Sequence, residues 1–154
     1  MVSIEDIRND KRFNVNPTTL RALFDRLEIK RYRLTTVSVG KIRRCLYGKI
    51  FPLYKTEAYQ LLEHPNSVSA NLRYKEYCDI KDAREDNPIR SKEYFMNFAS
   101  EFSASDYDIL KGVIIIDQFF CIEEGLHRCC IILKEKGPDY FIPVLQIYKP
   151  FDSC

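Results

Sequence analysis

The sequence predicts one α+β domain, and three observations carry that expectation. A chain of 154 residues, 45% hydrophobic and 30% charged, has the size and composition of a single globular unit able to bury a core. Segments of helical period alternate with β-rich runs, with no internal repeat or low-complexity stretch between them. The last quarter then sets two short apolar runs around Asp117-Gln118, and a helix signal and a final β-rich run follow.

Taken in order, Asn16-Pro17 reads as a helix start, with Asn as N-cap and Pro at the first helical position. Leu20, Leu23, Phe24 and Leu27 follow at helical spacing, so a helix is expected over 17–28, inside an N-terminal helical extension spanning 1–29. Residues 32–39 are β-branched, roughly alternating and closed by Gly40, the pattern of a strand. Residues 41–55 are basic, with Gly48 and Pro52 as breakers, and read as irregular. Thr56 can cap a helix carrying Ala58, Tyr59, Leu61 and Leu62 that closes before His64-Pro65, and a Tyr-rich helix is expected around 72–77. Residues 79–90, highly charged and containing Pro88, are expected to be an exposed loop. Ser91 can cap a helix with Tyr94, Phe95, Phe98, Ala99 and Phe102 on one side. Residues 112–116 and 119–123 are expected to pair as strands. A helix then starts at Gly125 and runs through Leu126, Cys129, Cys130, Ile132 and Leu133, with Lys134, Lys136 and Gly137 as its stop signal. Residues 140–148 form a last strand, whose Pro143 argues for an edge or a first pairing position.

Composition narrows the function classes. No run approaches the ~20 apolar residues of a membrane helix, and residues 1–8 hold no apolar h-region, so no membrane span and a cytoplasmic location are expected. Six cysteines (45, 78, 121, 129, 130 and 154) include no Cys-x-x-Cys pair, and with His64 and His127 they offer no zinc spacing. They read as reduced thiols used for apolar packing, without disulfides. Net charge is only +2, but it is unevenly spread. Between positions 21 and 49 nine Lys and Arg, including Arg43 and Arg44, face only Asp25 and Glu28, a block that attracts phosphate in any form.

The chemistry-bearing stretch is Glu123-Glu124-Gly125-Leu126-His127-Arg128. N–H groups at a helix start point outward, and a glycine there leaves room for a ligand. The helix dipole favours an anion, Arg128 can fork onto phosphate oxygens, and His127 can donate to phosphate or shuttle a proton. Two carboxylates before the glycine would repel a bare phosphate, so at least one needs another duty: a metal ion, a substrate hydroxyl or a structural Arg partner. Strand alternation places Glu123 and Glu124 on opposite faces, and Glu124, beside the glycine, is the one expected in the site. Lys55, Arg43 or Arg44 could close over it from the irregular segment. A surface salt bridge is the bland alternative.

On these residues the segment from about 111 to 147 resembles the ParB/sulfiredoxin superfamily, in which a strand leads into an acidic-Gly-x-His-Arg turn that binds nucleotide phosphate at a helix start. Gly125, His127 and Arg128 match that turn, and Glu124 matches the acidic residue before the glycine. Sulfiredoxins carry their catalytic cysteine between that glycine and the histidine. Leu126 stands there, which argues against sulfinic-acid reduction. Residues 52–59 also resemble a segment of small bacterial proteins of this fold encoded among polysaccharide-biosynthesis genes. The resemblance implies a mixed sheet with helices packed on it, a nucleoside triphosphate such as ATP with Mg²⁺, and backbone contact at Leu126. The helix-turn-helix region that follows this domain in ParB proteins is not expected after residue 148.

Three function classes follow. The first is a phosphotransferase or nucleotide hydrolase, with Glu124 or Glu57 as base, Glu124 on the metal, His127 and Arg128 on phosphate, and an unknown small-molecule acceptor. The second is a nucleotide-dependent switch without turnover. The third is a nucleic-acid-binding or nuclease-like protein whose weak, sequence-independent contacts come from the basic block.

Overall fold

Local signals set most of the elements in the computed structural model, which describes residues 1–46, 48–84 and 91–150. Helix α1 (Ile4–Arg8) opens with a reciprocal capping box between Ser3 and Asp6. In α2 (Pro17–Arg26) the Asn16 side chain accepts from the Thr18 N–H at 2.9 Å. Strand β1 spans Arg31–Ser38. The basic stretch expected to be irregular instead folds as a hairpin of β2 (Arg43–Leu46) and β3 (Lys49–Pro52), with Gly48 at φ 75° in its turn. None of its described residues is fully buried, so no apolar alternation marked it in the sequence. Thr56 caps α3 (Glu57–Glu63) as expected.

Helix α4 (Val68–Arg84) is longer than the sequence suggested. It takes in 79–84, the first half of the expected charged loop; 85–90 lie outside the described residues. Helix α5 (Lys92–Glu101) starts at Ser91. Strands β4 (Ile115–Ile116) and β5 (Ile122–Glu124) flank a turn in which Phe120 sits at φ 65°. Helix α6 (Leu126–Lys136) and strand β6 (Phe141–Tyr148) complete the chain of elements.

The main sheet is mixed, in the order β1-β6-β4-β5. Strand β6 runs antiparallel to β1 along its whole length and parallel to β4 through Ile115 opposite Leu145 and Ile116 opposite Gln146. It is therefore interior, not the edge that Pro143 suggested. Proline is tolerated there because the β4 ladder begins only at Leu145, which leaves β1 as the partner strand at Pro143.

Alternation sends neighbouring residues to two cores. Ile114, Ile116, Ile142 and Val144 pack with α3, α5 and α6 through Leu61, Phe95, Cys129 and Ile132. Ile115, Leu145 and Ile147 face the other way onto Ile7, Leu20 and Leu23 of α1 and α2. Residues 1–29 thus cover one face of the sheet. Among the described residues no helix is long and apolar enough to cross a membrane.

Cys78, Cys121, Cys129 and Cys130 are free and buried, in keeping with packing residues. Burial pushes the Cys121 thiol up to about 11 and Cys130 to about 12, which keeps both protonated and unreactive. Cys45 is disulfide-bonded, so the expectation of six reduced thiols is overturned. With that bond present, cysteine usage no longer supports a cytoplasmic location.

A buried ion network ties the layers at one end of the sheet. Lys149 Nζ lies 3.2 Å from Asp117 Oδ2 and 3.1 Å from Glu123 Oε1, and the three side chains are 8%, 4% and 9% exposed. Arg26 of α2 completes it, donating to Glu123 Oε2 at 2.9 Å. Asp117 Oδ1 accepts from the Phe119 and Cys121 N–H groups, so the network also fixes the β4–β5 turn. Burial alone would lower the Lys149 pKa, but the two carboxylates more than offset this and hold it above its ordinary 10.5.

Lys149→Met should therefore destabilise the protein by about 3 kcal/mol in urea unfolding at neutral pH, because two buried carboxylates lose their shared cation. The stabilisation from Lys149 is complete below pH 10.5 and should be lost only as pH rises through the higher folded-state value. From neutral pH upward, the stability gap between wild type and variant should therefore narrow only as pH rises through that value.

Candidate anion site at the start of α6

Strand β5 runs straight into α6 through Gly125, whose φ of 103° and ψ of 27° turn the chain from extended to helical. An L side chain is disfavoured there on two counts. The backbone is left-handed, and a Cβ would stand 2.8 Å from Ile114 Cγ1 and 3.2 Å from Arg128 Nη2. The space left by the missing side chain is thus taken by the protein's own Ile114 and Arg128. As N-cap, Gly125 supplies no side-chain hydrogen bond to the first-turn N–H groups.

Arg128 folds back over this helix start. Its Nη1 donates to the Gly112 carbonyl, and its guanidinium carbon lies 5.7 Å from the centre of the Tyr107 ring. Tyr107 is itself fixed: its hydroxyl donates to the Pro143 carbonyl at 2.6 Å and accepts from the Ile114 N–H at 2.9 Å. Burial pushes its pKa up to about 12. Arg128 is partly buried, and among the described residues it forms no salt bridge. The bland arrangement, Arg128 locked to Glu123 or Glu124, is not found among the described residues, and Glu123 is held by Arg26 and Lys149. The structural-Arg duty weighed for one of the two carboxylates thus falls to Glu123.

His127 turns away from Arg128, one residue further round the helix. Its Nε2 is 2.9 Å from the Tyr74 hydroxyl, and the Phe95 ring meets it edge-on at 4.5 Å. Tyr77 stands 6.1 Å from the same imidazole and also lies under Arg44, whose guanidinium carbon is 5.6 Å from the Tyr77 ring centre. Arg44 in turn makes a two-armed ion pair with Glu57, at 2.6 and 3.1 Å, with side chains 12% and 20% exposed.

Several expected roles change as a result. Glu57 is a poor general base, because its charge is committed to Arg44, and Arg44 is equally committed. Arg43 donates to the Phe119 carbonyl at 2.6 Å on the β4–β5 turn instead of closing over the helix start. Lys55 is exposed at the end of a short 3₁₀ turn, with no hydrogen bond or ion pair among the described residues. Leu126 is partly buried and packs against the larger core, which leaves its backbone as the part a ligand could use. Glu124 is partly buried, paired with Ile115 in the sheet, and already has a partner, as does His127. Among the described residues no three His, Cys, Asp or Glu side chains gather into a metal-binding group.

Tyr74, Tyr77, Phe95, Tyr107 and Gly112 shape this region, and none of them was given a place at the site from the sequence, which set Phe95 on the helix capped by Ser91 and Tyr74 and Tyr77 in a Tyr-rich helix. Their contacts span sequence separations that no local pattern encodes.

Of two clefts formed by described residues, of about 400 and 760 Å³, neither is lined by residues 125–128. Comparison of the chain with protein-family models, curated proteins and solved structures finds no match.

Gly125→Asn should cost about 1–3 kcal/mol in stability, since even a residue tolerant of left-handed backbone would strike Ile114. Gly48→Asn serves as the control, because φ there is also positive, at 75°, and nothing lies within 4 Å of the point a Cβ would occupy. It should cost far less in the same urea titration.

Proposed function

We propose that this chain is a phosphate-binding protein of the ParB/sulfiredoxin-like kind, in which residues 125–128 take the phosphate of a nucleotide such as ATP. The observation that carries this reading is Arg128. It is a partly buried guanidinium with one hydrogen bond to Gly112 and no carboxylate partner among the described residues, and it is packed beside a helix start with no side-chain cap. Keeping a cation half-buried without a counter-charge is costly unless an anion visits. The helix dipole and first-turn N–H groups favour the same visitor at the same point.

Binding without turnover is favoured over phosphotransfer or nucleotide hydrolysis. Glu57 is paired with Arg44, His127 is held on Tyr74 and Glu124 also has a partner, so each candidate base is already engaged. Mg²⁺ would relieve repulsion between Glu124 and bound phosphate.

Calorimetric titration of inorganic phosphate, ATP, CTP and GTP, with and without Mg²⁺, tests this directly. Arg128→Ala should weaken binding by about 1.5–3 kcal/mol, roughly 10- to 150-fold, with the thermal unfolding midpoint little changed. Glu124→Gln separates the two mechanisms: turnover falls with binding retained if it is a base or metal ligand, whereas binding tightens and nothing else changes if it only repels phosphate. No heat with any phosphate ligand, or equal affinity in Arg128→Ala, would overturn the assignment.

A further inference from the structure

We propose a second anion surface, separate from the start of α6, that binds single-stranded nucleic acid across the Arg31, Arg33 and Arg43 end of the main sheet. On β1 the side chains of Tyr32 and Leu34 pack into the N-terminal core, so alternation turns Arg31 and Arg33 to the opposite face. There the Arg31 guanidinium lies 4.0 Å over the Tyr148 ring, and Arg33 Nε donates to Gln146 Oε1 at 3.0 Å. The Tyr148 hydroxyl donates to that same oxygen, while Gln146 Nε2 donates to the Asp117 carbonyl of the β4–β5 turn at 3.2 Å. Arg43 reaches the same turn from β2, onto the Phe119 carbonyl. Arg43 touches the turn directly, Arg33 is linked to it through Gln146, and Arg31 stacks on the Tyr148 ring that bonds the same Gln146; among the described residues none of the three forms a salt bridge.

The acids of this region do not cancel that charge, because Asp117 and Glu123 are already matched by Lys149 and Arg26. Arg31 and Arg33 are exposed, and the Phe119 ring stands 38% exposed on the turn. Cations that track a backbone, interleaved with an exposed ring on which a base can stack, are what an unpaired strand needs. A duplex hides its base faces and would use only the cations.

The test is fluorescence anisotropy with an oligothymidylate of about 12 nucleotides and with its duplex, over about 50–200 mM salt. The single strand should bind more tightly than the duplex. Arg31→Gln with Arg33→Gln should flatten the log affinity against log salt slope by about 1.4, two phosphate contacts at ~0.7 each. Phe119→Leu should weaken single-strand binding by about 5-fold or more, and Arg128→Ala should leave it unchanged. Tighter or equal binding of the duplex, an unchanged slope in the double variant, or no binding at low salt would overturn the proposal. Loss of binding in Arg128→Ala would overturn it too, by moving the nucleic acid to the helix start.

Discussion

The left-handed backbone at Gly125 is the constraint on which the rest of this structure turns. One residue converts the short edge strand β5 into α6, and α6 supplies Cys129, Cys130, Ile132 and Leu133 to the larger core. Ile114 and Arg128 occupy the volume that any side chain at 125 would claim. The glycine therefore serves packing and the candidate site through one geometric fact. It lets the sheet approach the helix start closely, and it lets Arg128 fold back over that start.

Charge compensation divides this end of the protein into satisfied and unsatisfied regions. Asp117, Glu123, Lys149 and Arg26 form a closed set that bridges the sheet and α2, and Arg44 with Glu57 forms a second between β2 and α3. Both are buried enough that deleting one partner strands the other. Arg128 stands outside them, and among the described residues its polar contacts are a neutral carbonyl and an aromatic ring. Arginines that structure has already neutralised can be set aside as ligand groups. On that criterion Arg44 drops out of the sequence-derived set and Arg128 stays.

Local chemistry was readable from the sequence, and long-range pairing was not. Asn16, Thr56, Ser91 and Gly125 each mark a helix start within a residue, because a cap is a contact between near neighbours. An Arg partner was among the duties weighed for the two carboxylates, and Glu123 has one in Arg26. The β2–β3 hairpin escaped notice because its half-exposed residues carry no apolar period. The place of β6 inside the sheet depends on pairing with β4 across the chain, against the local hint of Pro143. Glu57, Arg44 and His127 were picked out from the sequence by residue type and position. Their commitments to one another and to Tyr74 and Tyr77 are tertiary facts, and those commitments decide which capability is left to use.

The most direct measurement is an amide-resolved ¹H–¹⁵N spectrum recorded during titration with inorganic phosphate. A phosphate site at the start of α6 predicts saturable shifts concentrated at the backbone N–H groups of Leu126, His127 and Arg128 and at the Arg128 Nε–H. The amides of α2 and of the β2–β3 hairpin should move little. Shifts spread over the basic surface without saturation, or confined to residues away from the start of α6, would contradict it.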